Sequence, residues 1–230
     1  MPKRLACIIS AVLLCLCVGV GALCDTEGDF SYVVLDEKTV LVDTVDRSVT
    51  GQFFENLTAV LDGRDLDYLV VNHMEPDHSS AISEVLVRYP NAKVVCTKAA
   101  AVILNQFFAC DISDRSILVG EGDTLNFGKH TFTFVMAPMV HWPEVMMSFD
   151  TDDHVLYSAD AFGQFGAVDI VPTWNDDEAR RYYLNIVGKY GTQVQAVLKK
   201  AAALPIETIC PLHGPKLTDM IPHVLELYQL

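Results

Sequence analysis

Short apolar runs alternate with stretches of helical periodicity along most of the chain. From Phe30 onward the apolar runs end at Gly, Pro, Asp or Asn, which is typical of β-strands. Between them, apolar residues recur every three or four positions, as in helices that pack on a sheet. We predict strands over 32–35, 40–42, 68–71, 93–96, 116–119, 124–127, 131–137, 145–150, 154–157 and 206–210, and helices over 48–61, 98–108, 176–203 and 217–230. A further helix with Ile82, Val85 and Leu86 on one face is predicted to be capped by Ser79 and Ser80, and the helix over 176–203 is predicted to bend near Gly188 and Gly191.

Helices flank a strand-rich first half and a strand-rich second half. Each sheet therefore has one face for helices and one face for the other sheet. The pattern predicts an α+β fold with four layers, an αββα sandwich. A chain of 230 residues suits one large domain, which we place at residues 30–230.

Residues 1–29 have a different composition from the rest of the chain. Lys3 and Arg4 precede an almost unbroken apolar run over 5–23, and an acidic stretch follows Cys24. Such a segment resembles an export signal or a membrane anchor. A strand or helix of the domain itself and a misassigned start of the reading frame are the alternatives. The sequence does not choose among them.

Charge and cysteine content narrow the class of protein. The formal net charge of −14 opposes binding to nucleic acid or to an anionic membrane, because those surfaces attract Lys and Arg. Four of the seven cysteines lie in the first 29 residues, and Cys96, Cys110 and Cys210 are scattered through the domain without a CxxC pair. This usage is typical of a reducing compartment, so we predict a cytoplasmic protein. Export or anchoring through residues 5–24 is the alternative.

The chemistry is concentrated in four segments that each follow an apolar run. The first reads HMEPDH over residues 73–78, directly after the predicted strand over 68–71. The others are PMVHWP over 138–143, SADAFG over 158–163 and CPLHGP over 210–215. Together they offer four imidazoles and three carboxylates: His73, Glu75, Asp77, His78, His141, Asp160 and His213. Seven donors exceed the needs of one metal ion but suit two ions bridged by a carboxylate. His130, His154 and His223 lack such context.

These segments resemble the flavodiiron proteins, also called A-type flavoproteins, whose amino-terminal domain has the metallo-β-lactamase fold. The resemblance runs from about Phe30 to Leu230 and is closest in HMEPDH, APMVHWPE, SADAFG and ICPLHGP. Zinc hydrolases of this fold resemble HxHxDH in the first segment, whereas this chain has Glu75 at the third position. A carboxylate in place of an imidazole favours iron or manganese over zinc.

The resemblance implies two iron ions, one held by His73, Glu75 and His141 and the other by Asp77, His78 and His213, with Asp160 as the bridge. It implies reduction of dioxygen to water or of nitric oxide to nitrous oxide. A proton donor is needed near the metals, and Tyr190 is the candidate by its position in the family pattern.

Members of the family also carry a flavodoxin-like domain, whose FMN reduces the iron pair of the partner subunit in a head-to-tail dimer. No flavin site is expected between His213 and Leu230. We therefore expect an external electron donor, such as a flavodoxin, a rubredoxin or a flavin reductase, and a homodimer. The apolar run over 5–24 stands where the family has its opening strands.

Two other functions remain open at this point. Most proteins of this fold are hydrolases that use a metal-bound hydroxide, and Glu75 argues against that reaction here. The chain could also be a non-catalytic remnant that binds metal but receives no electrons.

Overall fold

The chain folds into two β-sheets that are covered by helices. The structure, a computed structural model, describes residues 30–108, 111–167 and 171–229, together with the backbone of residues 20–24. In this part of the chain the first sheet has the strand order β1-β2-β3-β4-β5-β6 and the second has the order β11-β10-β9-β8-β7. The strands are β1 (Val20–Cys24), β2 (Phe30–Leu35), β3 (Thr39–Val42), β4 (Tyr68–Val71), β5 (Lys93–Cys96), β6 (Ser116–Leu118), β7 (Thr124–Asn126), β8 (Thr131–Met136), β9 (Met146–Asp150), β10 (Val155–Tyr157) and β11 (Thr208–Cys210).

The direction of the strands decides where side chains can meet. In the first sheet β3, β4, β5 and β6 are parallel, while β1, β2 and β3 pair antiparallel. In the second sheet β7 to β10 pair antiparallel and β10 pairs parallel with β11. Parallel neighbours end at the same edge of a sheet. The residues that follow β3, β4 and β5 therefore meet at one edge, and so do those that follow β10 and β11.

The helices lie in two groups along the chain. They are α1 (Thr50–Leu61), α2 (Pro76–Ser79), α3 (Ile82–Arg88), α4 (Lys98–Phe107), α5 (Asp176–Ile186), α6 (Gly191–Ala201) and α7 (Ile221–Leu227). A 3₁₀ turn precedes α1 at Arg47–Val49, and another joins α5 to α6 at Gly188–Tyr190. Asn175 caps α5, because its side chain accepts hydrogen bonds from the N–H groups of Asp177 and Glu178.

Alternate residues of the first sheet face two different apolar cores. Val34 and Val42 pack against the second sheet, in a core that also contains residues of α6 and α7. Val33 and Leu41 point to the other face, where the core contains residues of α1, α3 and α4. This is the period-2 alternation of a strand that is buried on both sides. The predicted four layers, αββα, are confirmed.

The predicted elements agree with the structure to within a few residues, apart from one helix cap and the extent of the last helix. The bend near Gly188 and Gly191 is present as the 3₁₀ turn between α5 and α6. The prediction that Ser79 and Ser80 cap the next helix is wrong, because Ser79 closes α2 and α3 has Ala81 as its N-cap without a side-chain hydrogen bond. The last helix covers Ile221–Leu227 rather than 217–230, with Pro222 in its first turn.

The amino-terminal segment is described only over β1. The backbone of Val20–Cys24 pairs antiparallel with β2, so that it forms the edge strand of the first sheet. The remainder of the segment predicted as a signal or anchor, residues 1–19 and 25–29, lies outside the described residues. Its assignment stays a prediction. Among the described residues, no helix is both long and apolar enough to cross a membrane.

Candidate metal centre

One edge of the first sheet supplies four of the seven predicted ligands. His73 lies two residues beyond β4, and Asp77 and His78 lie in the single turn of α2. Glu75 is the N-cap residue of α2, and Pro76 occupies the first turn, where its missing N–H costs nothing. The donor atoms of Asp77 and His78 belong to a different convergent set from those of His73 and Glu75. The segment therefore supplies ligands to two positions instead of one.

The second sheet supplies the other three ligands from the ends of its strands. Asp160 follows β10 and His213 follows β11, so the parallel pairing of these strands brings the two residues to one edge. His141 follows β8 in the connection to β9, and the peptide bond between Val140 and His141 is cis. The two sheets face each other, and the ligand segments at the edges of both sheets come together at one edge of the sandwich.

The first group of donors consists of His73, Glu75 and His141. His73 Nε2 lies 3.3 Å from Glu75 Oε2 and 3.3 Å from His141 Nε2. His141 Nε2 lies 2.8 Å from Glu75 Oε2 and 3.0 Å from Asp160 Oδ2. These four side chains form one set whose ligand atoms converge.

The second group consists of Asp77, His78 and His213. His78 Nε2 lies 3.0 Å from His213 Nε2, and both nitrogens lie 3.4 Å from Asp77 Oδ2. The other oxygen of Asp160, Oδ1, lies 3.3 Å from His78 Nε2 and 3.8 Å from His213 Nε2. Asp160 therefore turns one carboxylate oxygen to each group.

The spacing of these donors suits metal ions better than it suits hydrogen bonds. A metal about 2.0–2.2 Å from each donor holds neighbouring donors about 3.0–3.5 Å apart. The separations within both groups are close to that range, and two of them join one imidazole nitrogen to another. In addition, Asp160 Oδ1 and Asp77 Oδ1 are buried without a hydrogen-bond partner in the described part of the chain. Two ions bridged by Asp160 would satisfy these atoms. The residues present therefore fit a dinuclear centre.

The pKa values of the candidate ligands also indicate a cation site. Burial by itself would lower the pKa of His73 and of His141. The Asp160, Glu144 and Glu75 carboxylates outweigh it at His73 and raise its pKa to about 10, and Asp160 and Glu75 raise the pKa of His141 to about 9. Burial would raise the pKa of Glu75, yet the hydrogen bonds from His141 and His73 lower it to about 2. A pocket with this negative potential attracts a cation, and a metal ion can take the place of the extra protons.

The backbone around the ligands is strained. Met139, Ala159 and Phe162 have positive φ angles of 66°, 52° and 66°, which non-glycine residues adopt at an energetic cost. Met139 lies two residues before His141, and the other two flank Asp160. Strain of this kind collects where a fold must aim particular side chains.

Asp43, at the end of β3, fixes the start of the ligand segment. Its Oδ1 accepts the N–H groups of Asn72 and His73 at 2.8 and 3.1 Å. Burial raises the pKa of Asp43 to about 7, although His78 and these two N–H groups act in the opposite direction. The sequence showed Asp43 at a strand end but gave no reason to connect it with His73, 30 residues away.

Two aromatic side chains line the centre. The ring centroid of Trp142 lies 5.5 Å from that of His73 and 6.3 Å from that of His141. The ring of Tyr182 in α5 is buried, with its centroid 5.5 Å from that of His213. Burial raises the pKa of Tyr182 well above its usual value, and the neighbouring Asp160 carboxylate raises it further.

Gly163 makes room for Tyr182. A Cβ atom on Gly163 would lie 3.0 Å from Tyr182 Cζ and 3.1 Å from the carbonyl oxygen of Asp160. Real Cβ contacts are seldom that short. The glycine of the SADAFG segment therefore lets the phenol ring of Tyr182 pack closely on this segment.

The remaining candidates lie elsewhere. Tyr190 ends the 3₁₀ turn between α5 and α6, and its ring lies 5.1 Å from Nζ of the neighbouring Lys189. Its predicted role as proton donor stays a prediction. His154 pairs with Glu207 and His223 with Asp176, both at the surface. His130 is buried and pairs with Asp150. Together with Asp153 these residues form a third set of convergent donor atoms, separate from the two groups described above.

Known proteins resemble this chain over the same region. The model of the family described as "ODP family beta lactamase" matches residues 30–214. The anaerobic nitric oxide reductase flavorubredoxin of Vibrio vulnificus is 35% identical over 207 residues, which are 86% of this chain and 42% of that protein. The protein of the same name from Pectobacterium atrosepticum is 34% identical, with 86% and 40% covered. The chain thus spans less than half of the length of these curated relatives.

Solved structures show the same fold. The rubredoxin oxygen:oxidoreductase of Desulfovibrio gigas superposes with a TM-score of 0.83 at 28% identity, over 91% of this chain and 59% of that chain. The flavodiiron protein of Giardia intestinalis superposes with a TM-score of 0.82 at 26% identity, over 92% and 57%. The fold is thus the metallo-β-lactamase-like αββα sandwich predicted from the sequence. Since the family match covers most of the chain and includes all seven candidate ligands, the chain belongs to the ODP family of beta-lactamase-like proteins, the family of the flavodiiron proteins.

Proposed function

We propose that residues 30–229 form the diiron oxidoreductase domain of a flavodiiron-type protein, which reduces dioxygen to water, nitric oxide to nitrous oxide, or both. The observation that carries the proposal is the pair of donor groups bridged by Asp160, with Glu75 in the first group. Three carboxylates and four imidazoles give each ion a mixed oxygen and nitrogen environment, which suits iron. The names of the relatives, a nitric oxide reductase flavorubredoxin and a rubredoxin oxygen:oxidoreductase, support the same reaction class.

The proposed ligands are His73, Glu75 and His141 for one iron and Asp77, His78 and His213 for the other, with Asp160 between them. When bound, the iron pair supplies the binding site for the gas and transfers electrons to it. Asp160 would keep the two ions close together, and one side of the centre is open. Glu75, Asp77 and His213 form that side, since their side chains are 30%, 31% and 20% exposed.

Protons must reach the reduced gas. The balanced reactions are O₂ + 4e⁻ + 4H⁺ → 2H₂O and 2NO + 2e⁻ + 2H⁺ → N₂O + H₂O. Tyr182 is better placed than Tyr190 to hold a proton at the centre, because its ring packs on His213 and its hydroxyl interacts electrostatically with Asp160. That hydroxyl has no hydrogen-bond partner among the described residues. A high pKa keeps the phenol protonated until negative charge develops next to it. Trp142 covers His73 and His141 on the other side and excludes water from them.

Two irons hold at most two electrons between the ferrous and ferric states, so that full reduction of dioxygen needs an electron supply. We propose a flavin- or rubredoxin-type donor outside the described residues, in line with the relatives' names. A homodimer and a cytoplasmic location belong to the same proposal.

Anaerobic reconstitution tests this function. The purified protein is loaded with Fe²⁺, its metal content is measured, and consumption of dioxygen or nitric oxide is followed with a chemical reductant and a flavin mediator. We expect two irons per chain and sustained gas consumption. The Asp160→Asn variant should retain less than the full metal complement and lose turnover, because the bridge is lost. Binding of zinc alone without gas consumption, together with hydrolysis of generic ester substrates, would favour the hydrolase instead.

A further inference from the structure

Glu144 is a buried carboxylate that contacts the His73 ring on the side opposite the proposed metal position. Its side chain is fully buried, and its Oε1 accepts hydrogen bonds from His73 Nδ1 at 2.9 Å and from the N–H of Met74 at 2.9 Å. His73 Nε2, on the opposite side of the ring, points to Glu75 and His141. The hydrogen bond to Nδ1 therefore fixes both the tautomer and the direction of the ring.

The fold holds Glu144 from a second direction. Its carbonyl oxygen accepts a hydrogen bond from Thr97 Oγ1 at 3.0 Å, and Thr97 is the N-cap of α4 at the end of β5. The position of Glu144 is thus set by the same sheet edge that presents His73. Its second oxygen, Oε2, is buried without a hydrogen-bond partner among the described residues. A buried carboxylate with an unsatisfied oxygen destabilises a fold, so stability alone does not account for a glutamate here.

Among the described residues, the second metal position lacks an equivalent hydrogen bond, although the buried Asp43 carboxylate interacts electrostatically with His78. His78 is as deeply buried as His73, but its Nδ1 lacks a hydrogen-bond partner in the described part of the chain. A carboxylate that accepts from Nδ1 makes an imidazole a stronger electron donor to a metal at Nε2. The two positions should therefore bind metal unequally.

We propose that Glu144 is the positioning residue of the metal position formed by His73, Glu75 and His141, and that it makes this position the tighter of the two. The inference rests on the proposed dinuclear centre. It assigns to Glu144 no contact with metal or substrate. Its effect is transmitted through the His73 ring.

Titration with Co²⁺ tests the proposal without any catalytic assay. Co²⁺ occupies iron and zinc sites and gives visible absorption bands that depend on its ligands. The full chain and the Glu144→Gln variant are titrated anaerobically, and the ring N–H protons of the Co²⁺-bound histidines are followed by paramagnetic NMR. Glu84→Gln is the matched control, because it makes the same chemical change in an exposed ion pair with Arg88 on α3.

We expect the wild type and Glu84→Gln to bind two Co²⁺ ions, the first more tightly. In Glu144→Gln one equivalent should bind about 10- to 100-fold more weakly, and one ring N–H signal should shift or exchange faster. The amide oxygen of Gln can still accept both hydrogen bonds, so that the circular dichroism of the metal-free protein should be unchanged. Should this variant fail to fold, Glu144→Asp keeps the charge and should weaken the same equivalent.

The results separate the proposal from the function on which it rests. Two Co²⁺ ions in the wild type with unchanged affinities in Glu144→Gln would overturn the role of Glu144 alone. Equal weakening of both equivalents would overturn it too, since that result indicates a general structural effect. Fewer than two ions in the wild type would overturn the dinuclear centre itself.

Discussion

At the scale of single residues, the seven proposed ligands differ in how deeply the fold buries them. His73, His78 and Asp160 are buried, whereas Glu75 and Asp77 are about one-third exposed. Buried ligands are held by packing, and their replacement disturbs the fold as well as the metal. The partly exposed carboxylates can be changed with less effect on the core. They are therefore the best positions at which to change the chemistry of the centre.

Glu75 is predicted to set the preference for iron. Glu75→His restores the imidazole of the hydrolase pattern, and we expect the ratio of bound iron to bound zinc to fall about tenfold when both metals compete. Elemental analysis after reconstitution with equal concentrations of Fe²⁺ and Zn²⁺ measures the ratio. The control is Glu84→His, an equal change at an exposed position of α3. An unchanged ratio in Glu75→His would show that the carboxylate does not select the metal.

Tyr182 and Tyr190 are the two candidates for the proton donor. We expect Tyr182→Phe to lower kcat by about 10²-fold, because the hydroxyl beside Asp160 is lost while the ring that packs on His213 is kept. Gas consumption and metal content are measured together. If Tyr190→Phe lowers kcat instead and Tyr182→Phe does not, Tyr190 is the proton donor, as its position in the family pattern predicts.

At the scale of secondary-structure elements, a second buried cluster joins three turns. His130, in the turn between β7 and β8, places Nδ1 2.7 Å from Asp150 Oδ2 at the end of β9. The N–H of His130 also donates to Asp36 Oδ2 at 2.7 Å, in the turn between β2 and β3. Asp36 belongs to the first sheet and the other two residues to the second. The cluster thus connects the two sheets away from the ligand segments.

This cluster is predicted to serve stability and not metal binding. Asp150→Ala leaves the buried His130 Nδ1 without its 2.7 Å hydrogen bond, and we expect a loss of about 1–3 kcal/mol in the free energy of unfolding. Urea denaturation of the metal-free protein measures it. Lys129→Ala, which breaks only the exposed pair with Asp153, should cost less than about 1 kcal/mol. A loss of one metal ion in Asp150→Ala would contradict the prediction.

At the scale of the whole molecule, β1 completes the first sheet. It pairs along β2 over five residues, and without it the backbone of Phe30–Leu35 would form an open edge. Exposed strand edges promote association between chains. A variant that lacks residues 1–24 should therefore form soluble oligomers or aggregates, whereas one that lacks only residues 1–18 should not. Size-exclusion chromatography with light scattering compares them. Equal behaviour of the two variants would show that β1 does not protect the edge.

Local sequence patterns determined the secondary structure of this protein and the positions of its candidate ligand segments. The alternation of strands and helices, the bend near Gly188 and the four ligand segments were all readable from the sequence. A strand end, a turn and a ligand triplet such as His73, Glu75 and Asp77 involve neighbouring residues, so that spacing alone constrains them. Helix caps were harder to predict from the sequence. Ser79 and Ser80 have side chains suited to a cap, but Ser79 is the last residue of α2.

Only the tertiary structure decided which distant residues meet. Glu144 supports His73 from 71 positions away, and Asp43 fixes the same segment from the end of a different strand. Tyr182 and Tyr190 are both near the bend between α5 and α6, and only the packing of α5 brings the first of them to His213. Such contacts depend on strand order and on the approach of the two sheets. The sequence therefore predicted the candidate ligands, because each lies in a short motif that follows a strand. The fold specified the residues that position them, because those contacts join elements far apart in the chain.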